Sequence, residues 1–226
     1  MTNCKYNINI TIYFITMKRI ILFIYVALCC ISLDAQELRF GVLGGYNHCA
    51  PSAYNGKPGF HVGVKGELLL EKPKGLYVDF GVNFSSQKWE QASYSYNGNL
   101  TGTTISNRFT PAYLQVPVSL GYKFSLDEDV KLLVNAGPYI NFGLCGKSEV
   151  SKEIDGKPQT VSNTKDFYGA DGFERFDYGI GARIGVELFD HVQITGGYDC
   201  GFKNTSKKMN FDNKNRNWTL SAAYVF

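Results

Sequence analysis

The feature of this sequence that most limits its fold is an apolar alternation with period two, which recurs in eight separate segments. Between Phe176 and Leu188 every even-numbered residue is apolar, and the odd-numbered positions hold Asp, Gly, Gly, Arg, Gly and Glu. This alternation is the pattern of a β-strand with one apolar face. The segments span residues 38–46, 60–70, 76–84, 114–124, 130–142, 176–188, 192–202 and 218–226. They predict an all-β protein of eight strands.

The connections between these segments alternate strictly in length. Residues 71–75, 125–129 and 189–190 make short connections, whereas the others are longer and reach roughly 30 residues at 143–172. Transmembrane up-and-down barrels have short periplasmic turns and long outer loops, and their strands need about 9–11 residues to cross a bilayer. We therefore predict an eight-stranded antiparallel up-and-down transmembrane β-barrel with both termini in the periplasm. The residues expected in exposed outer loops are Tyr54, Gly98, Gly156 and Asn210.

The alternating positions of each strand form an apolar set and a polar set of residues. The polar set distinguishes this barrel from its main alternative, a soluble lipocalin-type barrel whose apolar set faces a ligand cavity. The polar set combines charged residues with many glycines. Glycine weakens a solvent-exposed strand, whereas inside a narrow barrel it leaves room for the long side chains beside it. The apolar set places aromatic residues near both strand ends, as in the two girdles of a membrane barrel. The predicted rims are Phe40, Phe124, Leu188, Tyr224 and Phe226 at one end, and Tyr46, Phe60, Phe84, Phe142, Phe176, Phe202 and Trp218 at the other.

The charged residues of the polar set are expected to meet inside the barrel. The predicted lumen charge network contains Lys65, Glu67, Asp79, Arg183 and Glu187. Charges removed from water persist when they are paired and hydrogen-bonded, so we expect ion pairs between the second and third strands and Arg183 reaching across the bore. Because eight strands enclose a space just wide enough for side chains, this network is expected to close the lumen.

Two prolines lie inside predicted strands. Pro117 and Pro138 have no backbone N–H to donate to a sheet ladder, and proline therefore avoids central strands. A β-bulge at each position would accommodate them, although the pattern gives no separate reason for Pro138.

The first 35 residues predict an exported protein. Two basic residues precede an apolar run of about 14 residues, which is too short to span a bilayer as a helix and fits a signal peptide cleaved after Ala35. Met17 is a second plausible start. Residues 1–35 are therefore interpreted as an N-terminal extension plus signal peptide, and residues 36–226 as the barrel domain, with an uncleaved anchor helix as the alternative.

The composition excludes several classes of partner and site. Charged residues make up 19% of the chain and the formal net charge is +3, so no basic patch of the kind that binds nucleic acid is expected. Beyond the leader only Cys49, Cys145 and Cys200 remain, an odd number without the spacing of a disulfide framework or a zinc site. No cofactor and no metal are predicted.

Three stretches resemble a known family, the eight-stranded outer-membrane β-barrel proteins of Bacteroidota, described as porin-family or OmpX-type. The stretch Tyr113–Phe124, with its mid-strand proline, is similar to the fourth strand of that family, and Phe176–Leu188 is similar to a later glycine-rich strand. The chain ends on Tyr224-Val225-Phe226. The resemblance implies this fold in the outer membrane, and it implies that Leu220, Tyr224 and Phe226 form the assembly signal read by the barrel-assembly machinery.

Three classes of function remain open. The first is a structural or interaction role through the outer loops, with outer-membrane lipid and an unidentified extracellular partner as contacts and the chain as a monomer. The second is a small passive pore. The third is a lipid-modifying enzyme, for which only a loosely spaced set, His48 and Ser52 with Asp171 or Asp177, is available. We predict the first role, no catalytic residues and no enzymatic activity.

Overall fold

A computed structural model describes residues 37–51, 54–96, 102–154, 157–159, 165–168, 172–206 and 213–226. The strands are β1 (Glu37–Cys49), β2 (Asn55–Leu69), β3 (Leu76–Tyr96), β4 (Gly102–Ser125), β5 (Val130–Ile154), β6 (Lys157–Gln159), β7 (Lys165–Asp166), β8 (Phe176–Leu188), β9 (Val192–Gly201) and β10 (Arg216–Val225). Within these ranges no helix has the length and apolarity needed to cross a membrane. The predicted signal peptide and Met17 lie outside the described residues.

Eight of these strands form a closed antiparallel barrel. Strands β1 to β5 pair in chain order, β5 pairs with β8, β8 with β9 and β9 with β10. Pairing of β10 with β1 closes the ring, so the barrel itself has no unpaired edge. The short strands β6 and β7 pair with β5 outside the ring. The predicted eight-stranded up-and-down fold is confirmed.

The apolar side chains face outward and the polar set faces the lumen. In β8, Phe176, Tyr178 and Ile180 are 44–47% exposed, whereas Asp177 and Glu187 are 1% and 0% exposed. A soluble barrel would show the opposite burial, because its apolar set would fill the interior. This arrangement places an apolar surface around the barrel, as lipid requires.

The two ends of the barrel differ. At the short-turn end, residues 70–75, 126–129 and 189–191 connect strands, and both ends of the described chain meet there: the Phe226 N–H donates to the Phe40 carbonyl at 2.7 Å. At the other end, here the long-loop end, β3, β4 and β5 continue well past the predicted strand limits. The loops predicted at 85–113 and from residue 143 are therefore largely strand. Alternation did not reveal them, because outside a bilayer neither face of a sheet needs to be apolar.

The bulges expected at Pro117 and Pro138 are not found. The β3–β4 register is the same on both sides of Pro117, and the β5–β8 register runs unbroken through Pro138. Each proline removes one donor, but the paired residues on either side hold the strand in place. The register shifts instead occur between Lys57 and Phe60 in the β2–β3 pairing and at Ala112–Tyr113 in the β4–β5 pairing.

Candidate functional site

The strand register brings charged residues together in the half of the lumen near the short turns. Arg39 faces Glu67 across the β1–β2 pairing, and Glu67 faces Asp79 across the β2–β3 pairing. Elsewhere around the ring Glu187 faces Gln193 across the β8–β9 pairing. Directly opposite residues project to the same side of a sheet. Because Glu67 points into the lumen, Arg39 and Asp79 on the neighbouring strands point into the lumen as well.

Lys123 joins two carboxylates from different strands. Its ammonium group donates to Oε2 of Glu67 and to Oε2 of Glu187, both at 2.6 Å. Both glutamates are fully buried. Gln193 completes the arrangement by donating to Glu67 Oε1 at 2.7 Å and Glu187 Oε2 at 2.6 Å. Lys123 was not among the predicted network residues, although its strand parity is inward.

Lys65 and Arg39 supply the remaining positive charge. Lys65 Nζ lies 2.6 Å from Asp79 Oδ2 and 3.0 Å from Glu67 Oε1, and Arg39 Nη1 lies 3.6 Å from Glu187 Oε1. Three cations thus meet three carboxylates, which offsets the desolvation of each charge. We call this group the lumen charge cluster; it consists of Arg39, Lys65, Glu67, Asp79, Lys123 and Glu187, with Gln193.

Arg183 lies apart from this cluster, near the middle of the barrel. Its Nη2 is 3.0 Å from Asp199 Oδ1 on the adjacent strand β9, and Gln115 donates to the other Asp199 oxygen at 3.1 Å. The ion-pair partner of Arg183 is therefore on a neighbouring strand, and not across the bore as expected. Gly197 makes room for it, because a Cβ there would lie 2.7 Å from Arg183 Cγ.

A cavity of about 50 Å³ lies between the charged groups in mid-barrel. Its lining carries five buried polar atoms that have no hydrogen-bond partner among the described residues: His61 Nδ1, Asn83 Oδ1, Asn135 Oδ1, Asn217 Oδ1 and Thr219 Oγ1. A polar cavity of this size accommodates a few water molecules. The space is too small for a sugar or a nucleotide.

The long-loop end of the lumen is filled by aromatic side chains. The Phe167 and Phe173 rings stack with centroids 4.3 Å apart, and Trp89 meets Phe167 edge-on at 5.7 Å. Offset and edge-on ring contacts of this kind stabilise beyond the apolar area that they bury. We call this group the aromatic cluster; its members are Cys49, Tyr54, Trp89, Phe109, Tyr113, Phe167, Tyr168 and Phe173.

Sequence reasoning missed the aromatic cluster. Tyr54 was expected in an exposed loop, but it is buried against Phe109 at 5.4 Å, and this burial raises the pKa of its hydroxyl. The other three residues expected in loops, Gly98, Gly156 and Asn210, lie outside the described residues. The alternation of β3 does indicate one member of the cluster, because Trp89 follows the inward-facing residues Ser85 and Gln87 at the same spacing. Strands and loops that are distant in sequence supply the rest, which no local pattern reveals.

Lys131 links the lumen charge cluster to the turn after β8, because its Nζ also lies 3.9 Å from Glu187 Oε1. The Lys131 ammonium donates to Asp190 in the turn after β8 and holds the pKa of that carboxyl below its usual range. In β10, Leu220 and Tyr224 point outward and are 57% and 46% exposed, and the terminal Phe226 is 67% exposed.

The residues imagined for an enzyme do not converge. His48 pairs directly with the outward-facing Trp218, whereas Asp177 is buried inside the lumen. Ser52 and Asp171 lie outside the described residues. Inside the barrel His61 Nε2 is 2.8 Å from Ser221 Oγ, but His61 Nδ1 has no partner among the described side chains and so no orienting carboxylate. The described residues contain no group of His, Cys, Asp and Glu that could hold a metal ion.

Solved outer-membrane proteins resemble this chain at low sequence identity. Neisserial surface protein A is 13% identical with a TM-score of 0.45, and the match covers 85% of this chain and 98% of that one. Ail, the attachment invasion locus protein of Yersinia pestis, is 16% identical with a TM-score of 0.38, covering 86% and 100%. OprG of Pseudomonas aeruginosa is 8% identical with a TM-score of 0.40, covering 85% and 98%. Comparison with curated protein sequences gives no match.

A family model gives the assignment directly. The model described as outer membrane protein beta-barrel domain matches residues 34–207, which is most of the chain. The closed ring, the lipid-facing apolar set and the inward charges agree with that match. The chain therefore belongs to the outer membrane protein β-barrel domain family, and it is a protein of the outer membrane.

Proposed function

We propose that this protein has a structural or interaction role at the outer membrane, carried by the sheet that β3, β4 and β5 form at the long-loop end. One observation carries the proposal. These three strands have 21, 24 and 25 residues, whereas the other barrel strands have 10 to 15. Because about 9–11 residues cross a bilayer, each of the three continues about ten residues or more beyond it.

The aromatic cluster supports a defined shape for this sheet. Trp89 and Phe109 come from its first two strands, and Phe167 and Tyr168 come from the segment that pairs back onto β5. We call the parts of β3, β4 and β5 that continue beyond the bilayer the projecting sheet. The buried aromatic cluster fixes the base of this sheet against the barrel mouth. A surface held in one conformation loses little entropy when it binds a partner.

A lumen closed to solutes also belongs to this proposal. The lumen charge cluster occupies the short-turn half and the aromatic cluster occupies the long-loop half, and the mid-barrel cavity of about 50 Å³ lies between them. A passive pore would need a continuous path, and a lipid-modifying enzyme would need converging catalytic groups. Both alternatives are outcomes of the tests below.

We also propose how the barrel is oriented in the outer membrane and how it is assembled there. The long-loop end faces outward and both termini face the periplasm, because membrane barrels place their longer loops outside. The barrel-assembly machinery recognises β10 through Leu220, Tyr224 and Phe226, and the barrel acts as a monomer in outer-membrane lipid. We further propose that the protein is an OmpX-type barrel of the kind found in Bacteroidota.

A truncation of the projecting sheet tests the interaction role. Residues 91–107 are replaced by Asn-Gly, a sequence that favours a two-residue hairpin turn, so that Glu90 leads directly into the turn before Arg108. Trp89 and Phe109 are kept. Outer-membrane amount and heat-modifiable migration on gels measure whether the barrel still assembles. Crosslinking on intact cells measures which surface molecules it contacts.

We expect the truncated barrel to assemble at the wild-type level and to lose a defined crosslinked partner. An unchanged set of crosslinked molecules would remove the interaction role from this sheet. Appearance of hydrolysed or transacylated lipid that depends on the full-length chain would instead support the enzyme alternative.

A further inference from the structure

The outer surface at the long-loop end carries a row of lysines on neighbouring strands. Lys57 of β2 faces Lys88 of β3, and Lys147 of β5 faces Thr110 of β4. The β3–β4 register puts Lys88 level with Thr110. All three lysines are exposed. We call Lys57, Lys88, Thr110 and Lys147 the lysine row.

The row lies just beyond the aromatic girdle of the same strands. Phe84, Leu114 and Phe142 form one level across β3, β4 and β5 and face outward. Lys88 follows Phe84 by four residues, which in a tilted strand is a height of about 10 Å. Girdle aromatics sit at the membrane interface, so the ammonium groups lie within reach of the phosphates of lipid headgroups.

The charge of the row is only partly neutralised by the protein. Lys57 Nζ lies 3.1 Å from Glu90 Oε2, and Lys147 faces Asp166 across the β5–β7 pairing. Lys88 has no ion-pair partner within 4.0 Å among the side chains that the structure describes. The nearest level farther from the membrane holds Arg108, which faces Glu90 on one side and Glu149 on the other. Like charges on facing strand positions destabilise a sheet. Lys57 and Lys88 occupy such facing positions, so an external anion that contacts Lys88 would reduce that cost.

The opposite end of the barrel has the opposite charge. The described residues of the short-turn end carry Lys72, Lys74 and Lys131 against six carboxylates, Glu37, Glu71, Asp127, Glu128, Asp129 and Asp190. An anionic lipid is therefore attracted to the long-loop end and repelled from the short-turn end. The lysine row therefore faces only the leaflet at the long-loop end of the barrel.

We propose that the lysine row binds the phosphate groups of the phosphorylated glycolipid that forms the outer leaflet, with Lys88 and Lys147 as the main contacts and the Thr110 hydroxyl as a further donor. Ammonium groups next to an anionic membrane surface each add to binding, and hydrogen bonds from charged donors to phosphate are strong. The choice of leaflet rests on the proposed outward orientation of the long-loop end.

Binding of diphosphoryl lipid A to the detergent-solubilised barrel tests this proposal. The variant is Lys88→Gln with Lys147→Gln, and the matched control is Lys72→Gln with Lys74→Gln at the short-turn end. Dephosphorylated lipid A and phosphatidylglycerol are titrated in parallel. Heat-modifiable migration confirms that each variant is folded before titration.

We expect the variant at Lys88 and Lys147 to bind diphosphoryl lipid A about 10- to 30-fold more weakly than wild type, from the usual contribution of a lysine beside an anionic surface. The control variant keeps wild-type affinity, and dephosphorylated lipid A binds wild type as weakly as it binds the variant. Equal affinity of wild type and variant would overturn the proposal. Phosphatidylglycerol binding as tightly as lipid A would overturn the glycolipid assignment. Neither result depends on whether the projecting sheet has a partner or the lumen conducts.

Discussion

At the scale of single residues, Lys123 carries more of the lumen charge balance than its neighbours. It is the residue whose ammonium contacts both fully buried glutamates at hydrogen-bond distance, whereas Arg39 reaches Glu187 only at 3.6 Å and Glu67 at 3.9 Å. Removing one partner of a buried ion pair leaves the other charge without compensation. Lys123 is therefore the position at which the cluster is most sensitive to substitution.

Substitution Lys123→Met tests that sensitivity. We expect the free energy of unfolding in detergent to fall by about 3–5 kcal/mol, measured by denaturant titration followed by heat-modifiable migration. Lys74→Met, in the exposed turn before β3, is the control and should leave stability unchanged. Equal stability of the two variants would show that the lumen charge cluster adds nothing to the fold.

At the residue scale, the alternation of each strand predicts which side chains point into the lumen. It does not predict which of those side chains form ion pairs with each other. Inward placement of Lys65, Glu67, Asp79, Arg183 and Glu187 follows from period two alone. Which cation meets which carboxylate depends on the stagger between strands. Sequence does not give that stagger, and so the pairing of Arg183 with its neighbouring strand was not foreseen.

At the scale of elements, the aromatic cluster joins segments that are far apart in the chain. Trp89 is 2% exposed and touches Tyr54, Phe109, Phe167 and Phe173. Alternation located each barrel strand because lipid and lumen impose opposite demands on its two faces. Beyond the bilayer that demand ends, so apart from the inward series of β3 that reaches Trp89, periodicity does not reveal the extensions of β3, β4 and β5 or the packing over them.

Substitution Trp89→Ala should loosen the projecting sheet without opening the barrel. A buried Trp-to-Ala change costs about 3–5 kcal/mol, and this cost falls on the long-loop end. We expect faster amide hydrogen exchange in β3 after residue 88 and in β4 before residue 110, with the transmembrane parts of both strands unchanged. Trp218→Ala, at a lipid-facing position, is the control. Identical exchange in both variants would contradict a packing role for the cluster.

The aromatic residue at the end of the last strand, β10, provides a test of the assembly signal. Phe226 and Phe189 are both exposed aromatics at the short-turn end, at 67% and 65%. If β10 carries the assembly signal, Phe226→Ala should lower the amount of heat-modifiable protein in the outer membrane several-fold and leave unfolded protein in the periplasm. Phe189→Ala should not. Equal assembly of the two variants would mean that Phe226 is an ordinary girdle residue.

At the scale of the whole molecule, the orientation of the barrel determines which face meets the environment. Protease added to intact cells should cleave within residues 147–165, because this segment belongs to the long-loop end. The turn at 71–75 should be protected until the outer membrane is permeabilised. Cleavage at 71–75 with protection of 147–165 would reverse the orientation and, with it, the leaflet assigned to the lysine row.

The charged interior and the aromatic cluster are together expected to close this eight-stranded barrel. Single-channel recording in planar bilayers measures this most directly, with incorporation confirmed by recovery of the heat-modifiable form. We expect no steady conductance from the wild-type protein, because eight strands leave an interior that its own side chains fill. A stable open channel of reproducible conductance would rule out a closed lumen and support the passive pore.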